Sequence, residues 1–170
     1  MTSRPHTSTP SPTRFTVPLQ QFTAICSLIF TIGTTIQNFV IVDLDLMEQT
    51  MRLAGQTAAE AKDNAPGFLL GFRIVGCVYM VGNAIGMLAL RGYPWVFWVA
   101  ILVNVTQGLG FVAIPPEFWE AARDRYGFAG LLPSIVTDGG AIILALALIG
   151  SFIAYRTTWA YQRVDRPGAG

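Results

Sequence analysis

The chain has 170 residues, 52% of them hydrophobic and only 12% charged, with a net charge of +1. Soluble domains carry about 25% charged residues, so this composition excludes an ordinary soluble globule and points to the membrane class. The near-neutral balance also excludes a global basic field for nucleic acid.

Residues 1–18 are rich in Ser, Thr and Pro and lack apolar periodicity, which predicts a disordered tail. The apolar run that follows starts late and continues too long for the core of a secretory signal peptide. It is expected to stay as a first span, about residues 22–42. Thr23, Ser27, Thr31, Thr34 and Asn38 recur along it at helical spacing and form one polar stripe. Lipid offers such groups no hydrogen bonds, so the stripe is expected to face other helices or water.

Residues 43–66 form a long first loop. Leu44, Met47, Met51, Ala54, Ala58 and Ala61 make an apolar seam that predicts an amphipathic helix. Asn64-Ala65-Pro66-Gly67 reads as the breaker that ends it. The second span, about 67–90, carries five glycines and a single charge, Arg73. Gly71, Gly82 and Gly86 lie near one face, where small residues let helices approach closely in lipid. That face predicts a central helix, or a docking surface for a membrane-protein partner.

Arg91-Gly92-Tyr93-Pro94 is a tight turn that makes the second and third spans antiparallel neighbours. The third span, about 95–114, begins with Trp95 and Trp98, as aromatic rings do at a lipid–water boundary, and stops at Pro115-Pro116. In the loop that follows, EFWEAARDRYGF predicts a second interfacial amphipathic helix. The fourth span covers about 131–155, and residues 156–170 form a polar tail.

The fold expected is therefore all-α: four antiparallel transmembrane helices bundled within residues 19–155, with short helices in the first and third loops. The tails and the short turn hold six basic residues against one acidic residue, whereas the long loops hold four basic and eight acidic. Basic residues near span ends set orientation. The N- and C-termini are thus expected to be cytoplasmic, the long loops extracytoplasmic, and the protein a multi-pass resident of the cell membrane.

Counting residues from the span ends at about 1.5 Å each puts Arg73, Gln107 and Asp138 roughly 9–10 Å deep and Asn38 roughly 6 Å deep. A buried charge is costly unless paired, so an Arg73–Asp138 ion pair is expected, supported by Asn38, Asn104 and Gln107. Two readings follow. In one, the pair is a structural brace in a non-enzymatic accessory or interaction subunit. In the other, the same residues line an outward-facing polar cavity of a small transporter or channel component that takes a small solute or lipid headgroup. Asp138 as a proton carrier is a variant of the second, disfavoured because a nearby arginine keeps a carboxylate ionised. No catalytic set, metal-ligand spacing or cofactor motif is present, so no catalytic residue, metal or cofactor is expected. Cys26 and Cys77 lie at different depths, which argues against a disulfide.

Overall fold

The computed structural model describes residues 8–165. Four helices are long and apolar enough to cross a membrane: α1 (Thr16–Ile41), α3 (Ala58–Arg91), α4 (Pro94–Ala113) and α6 (Leu132–Tyr155). Two shorter helices, α2 (Leu44–Leu53) and α5 (Pro116–Tyr126), complete an all-α bundle. Ile, Leu and Val side chains such as Ile32, Val78, Leu102 and Leu146 stand exposed on all four long helices. A soluble monomer seldom leaves apolar patches of that extent in water. Lipid tails solvate them without penalty.

α3 departs from its expected start. The seam of the first loop breaks at Gly55, whose φ of +91° suits glycine alone, and Thr57 then caps a new helix. The Thr57 hydroxyl accepts from the Glu60 amide while Glu60 Oε2 accepts from the Thr57 amide at 2.9 Å. This reciprocal cap satisfies two amides that a helix start would otherwise strand. Helix α3 then continues through Pro66, so the expected breaker is not one. A proline inside a helix costs one backbone hydrogen bond and a ring clash, but Ala61 and Ala65 are fully buried and hold this stretch in place.

Apolar burial is split between two clusters at opposite ends of the bundle. One gathers Phe97, Leu144, Leu148 and Trp159 near the chain termini. The other gathers Val42, Leu46, Met47 and Phe118 beneath α2 and α5. Arg125 of α5 reaches Asp43, the cap of α2, with both guanidinium nitrogens at 3.0 and 2.7 Å. Between the clusters lies a polar layer, to which every long helix contributes.

At the other end the chain termini meet. Strand β1 (Ser8–Pro12) pairs antiparallel with β2 (Tyr161–Asp165), with Ser11 opposite Gln162. The tail expected to be disordered thus pairs over part of its length, and residues 1–7 and 166–170 lie outside the described residues. The Thr13 and Thr16 hydroxyls both donate to the Ala160 carbonyl, at 2.8 and 3.2 Å. Trp159 is fully buried there and donates its indole N–H to the Tyr93 carbonyl at 2.9 Å.

Candidate functional site

Helix α1 widens into a π turn at Gln37–Ile41, and α6 does the same at Ile135–Gly139. Such turns insert an extra residue into the helical repeat and are frequent at functional sites. Here each brings two adjacent polar side chains to one space: Gln37 and Asn38 from α1, Thr137 and Asp138 from α6. Small residues let the helices close around them. Gly33 lies where any β-carbon would collide with the Thr137 methyl, and Gly140 leaves room for the Phe30 ring.

The space is a cavity of about 140 Å³. Besides those four residues its walls include Thr34, Phe72, Tyr79 and Gln107. One chain of hydrogen bonds ties all four long helices together at its edge. Asn83 of α3 donates to Gln107 Oε1 of α4 at 2.9 Å. Gln107 Nε2 donates to Asp138 Oδ1 of α6 at 2.9 Å and more distantly, at 3.4 Å, to Thr34 Oγ1 of α1. Thr137 donates to the same Asp138 oxygen at 3.0 Å.

Other polar atoms at the cavity have no partner. Gln37 is 6% exposed, yet neither its Nε2 nor its Oε1 is hydrogen-bonded. Asn38 donates to the Arg73 backbone carbonyl at 3.2 Å, but its Oδ1 is unpaired and buried. Buried polar groups are nearly always satisfied in folded proteins, so unpaired amide atoms on two residues of the cavity wall are unusual.

A second, larger space adjoins the cavity. It is a groove of about 930 Å³ between α2, α3, α5 and the end of α4. Phe72, Val75, Gly110 and Ile114 line both spaces, so the groove and the cavity are neighbours. Along α3 the groove runs from Asp63 past Gly67 and Gly71 to Val75, about 18 Å of helix. Its walls are mainly apolar, with Met47, Met51 and Phe118 opposite.

The five residues expected to form the site do not all meet. Asn38, Gln107 and Asp138 line the cavity. Asn104 does not: its side-chain amide folds back onto the Ala100 carbonyl of its own helix at 2.8 Å. Arg73 does not either, and the expected Arg73–Asp138 ion pair is not formed. Among the described residues the ion pairs are those of Arg125 with Asp43 and Asp45. The reason is angular. Phe72, Val75, Gly76 and Tyr79 face the cavity at helical spacing, and Arg73 is one residue, about 100° of rotation, away from Phe72. It lies with Ile74, Cys77 and Val78 on the neighbouring face, its guanidinium carbon 6.0 Å from the centre of the Phe39 ring. That geometry lets the ring face offset part of the cost of an unpaired cation.

The glycine face divides as well. Gly82 packs against Val103 of α4 and Gly86 against Ser27 of α1, close contacts that a methyl group would break. Both are therefore occupied within the chain. Gly71 has nothing packed on it and lines the groove instead.

Gln37, Asn83 and Thr137 were not singled out by the sequence reading. Asn83 carried a usable signal, being a lone amide in an apolar span. Gln37 and Thr137 carried none, because their inward position depends on the π turns. No family model, no curated protein and no solved structure matches the chain.

Proposed function

We propose that this is a small non-enzymatic multi-pass protein of the cell membrane that binds a solute between its spans. The site is the cavity at Asp138, reached through the groove beneath α2 and α5. The observation that carries this reading is Gln37, a residue of the cavity wall whose two amide atoms are buried and unpaired. A brace would have closed on those atoms. A site leaves them for a ligand or for the water it displaces.

With four spans both termini would lie on one side, and the excess of arginine in the tails favours the cytoplasm for that side. The groove then faces outward, which fits a component that takes a solute from outside. The accessory-subunit reading draws less support, since two of the three glycines proposed as its docking face are packed inside the chain.

Accessibility tests the reading without knowledge of the ligand. In a Cys26→Ser/Cys77→Ser background, Gln37→Cys in sealed vesicles should react with a small membrane-impermeant thiosulfonate added outside. Ala100→Cys, fully buried in the bundle, should stay unmodified. Modification of Gln37→Cys only from the cytoplasmic side would overturn the outward orientation, and no modification from either side would overturn the site.

A further inference from the structure

The charges around the two spaces are one-sided. Among the described residues that line them, the charged ones are Asp138 in the cavity and Asp63 in the groove, and neither lining includes a lysine or arginine. Arg73 lies on a different face of α3. Asp138 Oδ1 is engaged by Gln107 and Thr137, and these bonds fix the carboxylate without neutralising it. A carboxylate in an apolar surround is stabilised by a cation brought close to it. Phe72 and Tyr79 belong to the same wall, and aromatic rings attract ammonium groups.

Size sets the second condition. The cavity, at about 140 Å³, is smaller than the roughly 300–1,000 Å³ of ordinary ligand pockets. The groove, at about 930 Å³, falls within that range. Because Phe72, Val75, Gly110 and Ile114 belong to both, one elongated molecule can occupy the two at once. Its apolar body would lie along Gly67, Gly71 and Ile114, where there is little to hydrogen-bond, and its polar end would sit among Gln37, Asn38 and Asp138.

From this juxtaposition, and resting on the solute-binding reading above, we propose that the ligand is an amphipathic monocation. It is an alkyl- or arylammonium compound whose nitrogen reaches Asp138 and whose apolar portion fills the groove. The unpaired Gln37 oxygen, turned into the cavity, accepts a remaining N–H donor of a primary ammonium. Asp63, on the groove wall, adds a second negative charge along the path.

Protection from labelling tests the ligand class separately from the existence of the site. Val75→Cys, at the junction of groove and cavity, is placed in the cysteine-free background and reconstituted in phosphatidylcholine nanodiscs. Thiosulfonate labelling is then followed with increasing dodecylammonium or dodecanol, which share a tail and differ in head charge. Dodecylammonium should protect at a concentration at least about tenfold lower, as expected for one charge-assisted hydrogen bond. Asp138→Asn should erase the difference between the two compounds. Equal protection by both compounds would overturn the proposal, since the space would then be a simple acyl-chain groove. So would the absence of protection by either. Both results leave the solute-binding reading standing if Gln37→Cys is accessible, whereas an unreactive Gln37→Cys overturns that reading itself.

Discussion

Gln107→Leu is expected to lower the stability of the folded bundle by about 2–4 kcal/mol, since hydrogen bonds to charged groups contribute about 1.5–3 kcal/mol and an orphaned buried donor costs about 1–3. Gln107 is 2% exposed and sits at the centre of the polar layer, donating to Asp138 and accepting from Asn83. Leucine fills much of the same volume, so the loss would not come from a void. It would come from the Asn83 amide, left without an acceptor, and from Asp138, left with Thr137 alone. Single interhelical bonds within membranes average only about 0.6 kcal/mol, so a loss well above that reports a shared hub. The double variant Gln107→Leu/Asp138→Leu discriminates. Removing both partners strands fewer groups, so it should recover stability relative to Gln107→Leu. Unfolding of the purified protein in mixed detergent micelles, by circular dichroism against denaturant fraction, measures both, together with Asp138→Leu alone. Strict additivity of the two substitutions would show that the groups do not act as one network.

Trp159→Ala is expected to cost about 3–5 kcal/mol, the range for truncating a buried aromatic. The ring is fully buried, edge-on to Phe97 with centroids 5.0 Å apart, and its N–H is satisfied by the Tyr93 carbonyl. It thereby joins the turn between α3 and α4 to the segment after α6. The backbone there is also constrained. Arg156, Trp159 and Ala160 all have φ near +55°, a region that costs non-glycine residues energy and persists only where packing enforces it. Loss of the ring should release that segment and the strand pair beyond it. Amide hydrogen exchange at Ser11 and Gln162, opposite one another in the pairing, should accelerate together. Trp159→Phe keeps the packing and loses only the indole bond, so its cost should stay near 1 kcal/mol. Unchanged exchange in Trp159→Ala would show that the strands do not depend on this anchor.

Much of the architecture was legible because bilayer thickness dictates it. Each apolar run was about as long as a span requires, and the run lengths alone separate the four long helices. Gly92, with φ of +68°, and Pro94 at the first position of α4 mark the tight turn where the sequence placed it. The strand pair was not legible. Ser8–Pro12 holds two prolines that cannot donate to a ladder, and its partner is some 150 residues away, so no local pattern signals it.

For the site, depth could be counted and direction could not. Arg73 and Asp138 were paired because their distances from the span ends matched. Residues at equal depth can still face different neighbours, and Arg73 is one helical step from the stripe that faces Asp138. The π turns compound this. A regular α-helix places Gln37 and Asn38 about 100° apart, so only one of them would belong to an inward stripe. The widened turn admits both, and the same holds for Thr137 and Asp138. The stripe on α1 also proved mixed in kind. Thr23 and Thr31 bond back to carbonyls one turn earlier in their own helix, whereas Thr34 and Asn38 turn to the cavity.

Thermal unfolding of Gln37→Met, in the absence of added amphiphile, addresses the central claim most directly. A side chain kept for a ligand contributes nothing to the empty fold, and its two stranded amide atoms should cost it about 1 kcal/mol or more. The midpoint should therefore rise above that of the parent protein. A fall would mean that the Gln37 amide holds the helices together, and the polar layer would then be a brace with no vacancy to fill.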